Sequence, residues 1–458
     1  MTKHRRFLLL ALPLALVAQP APDLDRKLSD KISAALQKAG APSVSVAVVK
    51  DGTLVFAKAF GKASLSPDQP VTTESRYGVG SISKQFTAAA LLLAQEEGQL
   101  TLDDKVARYF PYLTRAGNIS IRQLLTHTSG FEDFAPQDYI IPEWTHPTDA
   151  QTLLDRWAKK PLNFEPGTRY QYSNTGYVLA AAIFEKASGQ PLVGFLRSRI
   201  FQPLGMASAG DCSESSPADA AAYTKFATGP PRPVAREANG WYLGAGELCM
   251  TPSDLARWDM AFLRKQILSA RSYEEFVREA WLANGDSTHY ALGLSMGEFH
   301  HIPTVAHSGE VSGFISSNTV YPTRGGAVVV LTNEDGVNLI GPVTSQAATI
   351  AFLPEEPEDS EQATRQVRGI LDRLRRGKID RSLFTSNANS YFTVTALADV
   401  RKSLSPIGKL KTVSRIGENL RGGMTHRGYR AVYEKKTMLL NIYLTPDGKY
   451  EQFMMVEE

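Results

Sequence analysis

Small and apolar residues alternate over residues 43–49, the chain turns at Lys50-Asp51-Gly52, and residues 53–60 resume a strand-like pattern. Asp-Gly between two such runs predicts a β-hairpin. Over residues 81–97 the apolar positions, among them Phe86, Leu91 and Leu92, fit a helix, and Gly98 stands just past its end. Residues 100–270 read as mostly helical, with many Pro and Gly breaks. Residues 327–332 are short and apolar up to the closing Thr332, as in a strand covered on both faces. Strands at both ends of a helical middle predict an α/β fold, a sheet flanked by helices with an all-helical region inserted.

The pattern changes after residue 353. Residues 354–359 form an acidic, Pro-containing hinge within a linker over 354–361. Helical stretches near 362–376 and 394–404 follow, then strand-like runs near 410–415, 429–433, 438–444 and 450–456, with a hairpin turn at Asp447-Gly448. The organisation expected is a main domain over 24–353 and a small α+β domain over 362–458. In the latter, Tyr429, Tyr433, Tyr443 and Phe453 are expected in the core.

Composition adds a compartment and removes some partners. The chain has 458 residues, 43% of them hydrophobic, which suits folded domains with real cores. Lys3, His4, Arg5 and Arg6 precede an apolar run over 7–17, which reads as a secretory signal over 1–18 and predicts a periplasmic or secreted protein. That run is shorter than the ~20 apolar residues a membrane span takes, and no later run is long enough. Lys+Arg total 50 against 47 Asp+Glu. Removing Lys3, Arg5 and Arg6 brings the balance near zero, so charge gives no case for nucleic acid. Export permits a disulfide between Cys212 and Cys249, and two buried thiols fit equally well. No metal site is expected: these cysteines lack nearby histidines, and His300-His301 lacks a third ligand. The sequence leaves the oligomeric state open.

Ser81-Ile82-Ser83-Lys84 carries the candidate chemistry. A serine hydroxyl needs a base beside it, and positions i and i+3 share a helix face, so Lys84 can meet Ser81. Opening a helix would aim the Ser81 N–H at an oxyanion. Lysine can take a proton only if its pKa is lowered. Tyr172-Ser173-Asn174 supplies a phenol that can relay a proton and an amide that can bind a carbonyl or the lysine. His307-Ser308-Gly309 precedes the apolar strand, and a glycine at a strand edge lets substrate backbone approach. The N–H of Glu310 would complete the oxyanion hole.

In this order and at these separations, the three motifs resemble the serine β-lactamase and penicillin-binding superfamily, above all its class C branch and its carboxypeptidase and esterase relatives. Residues 124–130 (Leu-Leu-Thr-His-Thr-Ser-Gly), 164–167 (Phe-Glu-Pro-Gly), 203–206 (Pro-Leu-Gly-Met) and 251–255 (Thr-Pro-Ser-Asp-Leu) extend the likeness, which runs from about Pro42 to Asn333. The resemblance implies an antiparallel sheet with an inserted helical region. It implies Ser81 as acylated nucleophile, Lys84 and Tyr172 as proton-transfer groups, and Asn174, His307, Gly309 and Glu310 around the substrate, without cofactor or metal. The substrate expected is a small ester or amide, a D-amino-acid or cell-wall peptide, or a β-lactam-like amide. The alternative is a penicillin-acylated sensor or peptidoglycan-binding protein without turnover. Two departures matter. His307 stands where strict β-lactamases and carboxypeptidases carry a lysine, and Glu310 adds an acid, so an anionic ligand is expected to be held poorly.

Overall fold

The computed structural model describes residues 22–353 and 358–458. The expected leader over 1–18 and residues 354–357 of the expected hinge lie outside the described residues. The chain divides into two compact units at the Leu353–Pro354 junction.

The first unit is built on a seven-stranded antiparallel sheet. Its strands run in the order Asp68–Pro70, Thr53–Leu65, Ser43–Lys50, Gly326–Thr332, Phe314–Tyr321, Ile302–Val311 and Ser295–Phe299. The period-2 alternation of the central strands covers both faces. Val44, Val46, Val48, Val328 and Val330 pack with Leu28, Ile32, Val343 and Ala347 of the terminal helices Pro22–Ala39 and Ile340–Phe352. Ala47, Val49, Val329 and Leu331 join Leu91, Leu255 and Trp258 in the larger core on the other face. The apolar run over 327–331 thus reflects a strand buried on both sides, and Thr332 at its end satisfies its hydroxyl by donating to the Ser43 carbonyl.

The inserted region is less helical than expected. Its long helices are Ser83–Glu96, Asn174–Ser188 and Pro252–Leu263, but between Glu96 and Asn174 the only α-helices are Ile121–Leu125 and Ala150–Trp157. The Pro and Gly breaks there hold turns and loops, which carry much of the site. A small sheet of Tyr77–Gly78, Leu248–Met250 and Gly210–Asp211 lies just before Ser81, and the Cys212–Cys249 disulfide ties it together. His300 and His301 form the exposed turn between the two outer strands.

The second unit packs the helices Glu358–Leu374, Ser386–Tyr391 and Val394–Leu404 with a four-stranded antiparallel sheet, Leu410–Arg421, Met424–Tyr433, Thr437–Leu444 and Tyr450–Glu457. Val367, Leu371, Leu374, Ile442, Tyr429, Tyr433 and Phe453 form its core. Tyr443 departs from the expectation: it is half exposed, and its hydroxyl accepts from Arg421 at 3.0 Å.

A buried acid lies under the main sheet. Asp259 accepts a hydrogen bond from Asn318 Nδ2 at 2.9 Å, while Asp259 Oδ2 and Asn318 Oδ1 have no donor among the described residues. A proton on Asp259 supplies the missing donor, and burial raises this carboxyl to about 8. An acid whose folded pKa is raised holds its proton longer than the unfolded chain does. Its contribution is therefore full below the unfolded value of 3.8 and is lost as pH rises through the folded value. At about 1.4 kcal/mol per pH unit, Asp259 alone should cost about 2–3 kcal/mol between pH 6 and pH 8. Asp259→Asn keeps the pair of hydrogen bonds without the titration. Urea unfolding at both pH values should show the variant gaining on wild type by about that amount; an unchanged difference would mean Asp259 is not protonated in the fold.

Candidate active site

Ser81 lies in a single 3-10 turn, Gly80–Ile82, that runs straight into the helix Ser83–Glu96. The sequence reading placed it at the start of the helix itself; the tighter turn still leaves its N–H without an intrahelical acceptor. Gly80 makes this turn possible. Its φ is +51°, and a Cβ there would sit 2.7 Å from the Glu310 nitrogen. Gly309 is as constrained, since a Cβ would lie 1.9 Å from the Val79 carbonyl oxygen. Two glycines thus press the Ser81 turn against the strand Ile302–Val311.

Only Val305 and Ala306 of that strand are paired on both sides. Residues 302–306 pair with Ser295–Phe299, whereas 307–311 pair only with Phe314–Tyr321. On the side of Ser295–Phe299 the expected strand edge is therefore confined to the segment holding His307, Gly309 and Glu310. Val311 and Phe314 close a two-residue hairpin. Antiparallel alternation then turns the N–H of Glu310 away from its partner strand, toward the Ser81 turn.

Lys84 is fully buried one turn beyond Ser81. Its Nζ donates to Ser81 Oγ at 2.9 Å, Asn174 Oδ1 at 2.7 Å and the Ala245 carbonyl at 2.7 Å. It also lies 4.9 Å from the Tyr172 ring centroid and 5.4 Å from that of Tyr177. Burial lowers its pKa to about 7, against the opposing pull of Asp133 and Glu247.

Tyr172 and Asn174 come from the start of one helix. Ser173 caps Asn174–Ser188 by accepting from the Gly176 N–H at 3.3 Å, so the residues on either side of the cap are held toward Lys84. Asn174 Nδ2 donates to Asp133 Oδ2 at 3.3 Å, which points its oxygen at the lysine. Burial, more than Asp133, raises the Tyr172 phenol far above its ordinary range, with its interaction with Ser81 opposing, so Tyr172 is protonated at neutral pH.

His307 is enclosed and neutral. One ring nitrogen, Nδ1, contacts the Ser308 carbonyl, an acceptor, so Nδ1 carries the proton and Nε2 accepts from the Tyr290 hydroxyl at 2.8 Å. Burial, then Lys84, lowers its pKa to about 4. Glu310 is not a plain anion. Burial, then Asp138 and Asp335, raises its carboxyl to about 7.

Ser81, Tyr172, Asn174, His307, Gly309 and Glu310 all line one cleft of about 590 Å³, with Lys84 behind Ser81. Sequence reasoning missed three supporting residues. Tyr290 holds His307, and Asp133 holds Asn174. His127 stacks on Tyr172 with centroids 4.2 Å apart and accepts from the Ser173 N–H at 3.1 Å. His127 was visible within the 124–130 motif, but only its fold partners give it this part. No group of three or more His, Cys, Asp or Glu side chains is placed to hold a metal among the described residues, and no helix there is long and apolar enough to cross a membrane.

The antiparallel sheet, the helical insert and a buried Ser–Lys pair at their junction define a serine hydrolase of the β-lactamase and penicillin-binding superfamily. The chain belongs to the Beta-lactamase family, whose profile matches residues 28–349. It is 30% identical over 342 residues to penicillin-binding protein 4* of Bacillus subtilis, covering 69% of this chain and 75% of that one. It is 29% identical over 283 residues to a D-aminopeptidase of Brucella anthropi, covering 60% of this chain and 52%, about half, of that one. An octameric penicillin-binding protein homologue from Pyrococcus abyssi shares the fold with a TM-score of 0.64 at 22% identity, covering 94% of this chain and 95% of that structure.

Proposed function

We propose that this protein is an exported acyl-serine hydrolase that cleaves a small amide or ester, with a D-amino-acid amide or peptide as the favoured substrate. The observation that carries this reading is the 2.9 Å contact between a buried lysine and Ser81. Near neutral pH a fraction of Lys84 is uncharged and can accept the Ser81 proton as Oγ attacks the substrate carbonyl. The N–H groups of Ser81 and Glu310 receive the oxyanion. As the tetrahedral intermediate collapses, the proton passes from Lys84, through the Tyr172 hydroxyl, to the leaving amine or alkoxide. Because Tyr172 stays protonated, it serves as relay and Lys84 as the base. Water then attacks the acyl-enzyme with the same groups taking its proton, which regenerates Ser81.

The likeness to a D-aminopeptidase supports an amide with D-configuration. Neutral His307 supports a substrate not anchored by a carboxylate. The basic start and apolar run of residues 3–17 support export. A panel of p-nitrophenyl esters, D- and L-alanine p-nitroanilides and benzylpenicillin tests the reading. The expected order of kcat/KM places short esters and the D-anilide above benzylpenicillin, and the D-anilide at least about tenfold above its L-isomer. Faster hydrolysis of penicillin than of either ester or anilide would overturn it.

A further inference from the structure

The charge of the cleft narrows the substrate class beyond amide or ester. Among the described residues, its lining contains four carboxylates, Asp133, Asp138, Glu237 and Glu310, and no lysine or arginine. Lys84 lies behind Ser81 and is committed to three acceptors. Neutral His307 has both ring nitrogens engaged. Asp133 is committed to Asn174. The other three acids remain for a ligand. Asp138 is exposed and forms no ion pair with any described residue. Glu237 accepts from the Ser312 N–H at 3.0 Å and the Ser312 hydroxyl at 2.8 Å. Partial burial, then the neighbouring Asp138, disfavours the charge of Glu310, and an incoming cation would favour it.

The apolar part of the lining points the same way. Tyr139, Trp144 and Tyr242 face this cleft, and aromatic faces attract cations through their quadrupoles. A smaller recess beside it contains Arg236, but also Asp211, Glu237 and Glu247. The Arg236 guanidinium contacts Cys249 Sγ at 3.3 Å and lies 5.4 Å from the Phe314 ring centroid. It therefore does not reverse the sign of the site.

We propose that this cleft selects acyl donors that carry a positive charge, with Asp138, Glu237 and Glu310 as specificity-determining carboxylates beside an aromatic wall. The substrate class is then an amide or ester bearing a free ammonium group, and N-acylated or anionic analogues are discriminated against. This inference rests on Ser81 being the nucleophile, and the experiment separates the two claims.

Three fluorophosphonates of equal length, ending in an ammonium, a hydroxyl or a carboxylate, report the cleft's preference without knowledge of the natural substrate. In each, Ser81 Oγ bonds to phosphorus, fluoride leaves, and the serine proton passes to solvent. Labelling rates at pH 8 and low salt are read by mass spectrometry. The ammonium probe should react about tenfold faster than the hydroxyl probe, and the carboxylate probe about tenfold slower. Asp138→Asn with Glu310→Gln should compress that hundredfold spread to about tenfold or less, and high salt should compress it in wild type. Asp138→Asn alone, at an exposed position, should compress it partly and guards against a folding defect in the double variant. Ser81 labelled at equal rates by all three probes, or fastest by the carboxylate, overturns the charge selection and leaves the hydrolase reading standing. A spread that the double variant leaves unchanged removes these carboxylates as its cause and overturns the proposal. No labelling of Ser81 by any probe overturns both.

Discussion

Replacing Ser81 with alanine is expected to abolish turnover while leaving the fold intact. Among the described residues no other hydroxyl is bonded to the buried lysine: Lys84 Nζ reaches Ser81 Oγ, an amide oxygen and a backbone carbonyl. Losing the nucleophile forbids the acyl-enzyme, and kcat should fall by about 10⁴-fold or more. The structural cost should be small. Lys84 keeps Asn174 Oδ1 and the Ala245 carbonyl as acceptors, so stability should change by no more than about 1 kcal/mol. Ester hydrolysis and thermal melting measured on the same preparation check both halves. Wild-type turnover in Ser81→Ala would remove this serine from the mechanism.

Lys84→Arg should be nearly as damaging as Lys84→Ala, a loss of about 10³-fold or more in kcat/KM. Arginine keeps the charge, but its pKa lies above 12 and it cannot take the Ser81 proton. On the proposed mechanism the effective base in wild type is the uncharged amine. Burial brings Lys84 to about 7, so kcat/KM should rise with pH through that region on the acid side of the profile. A variant that folds, as judged by its melting curve, but turns over like wild type would make Lys84 an electrostatic fixture. A profile flat from pH 5.5 to 8 would say the same. Lysine and arginine thus separate two jobs that the structure alone overlays, holding Asn174 and moving a proton.

Local pattern made much of the fold legible. The hairpin over 43–60 and the apolar strand over 327–332 stand out because their burial is regular. The neighbouring strand Phe314–Tyr321 does not, because its inward positions are partly polar. Ser316 donates to the Val79 carbonyl at 2.8 Å, and Asn318 pairs with Asp259, so hydrogen bonds replace the apolar contacts that a pattern would show. Ser295–Phe299 is short and mostly exposed and carries no alternation to read. The helix Ser386–Tyr391 is polar over most of its length, and its start is set by the Thr385 side chain accepting from the Ala388 N–H.

The site divides in the same way. Ser81 with Lys84, Tyr172 with Asn174, and His307 with Gly309 each sit within a short stretch of chain, so a motif could suggest them. Gly80 was readable in hindsight as the glycine directly before the nucleophile. Tyr290, Asp133 and His127 act across the fold on residues 17, 41 and 46 positions away, and no local signal marks those partnerships. The charge state of His307 also needed the structure. Its sequence identity says titratable near neutrality, while burial and two engaged nitrogens make it neutral. The pairing of Cys212 with Cys249 depends on the register that places Gly210 opposite Cys249.

The central claim is that Ser81 forms the covalent intermediate. The most direct measurement is mass spectrometry of enzyme acid-quenched during turnover of a p-nitrophenyl ester, followed by peptide mapping. The account predicts an acyl adduct on Ser81 that is absent from Ser81→Ala. An adduct on Ser83 or another serine, or turnover that continues in Ser81→Ala, would contradict it.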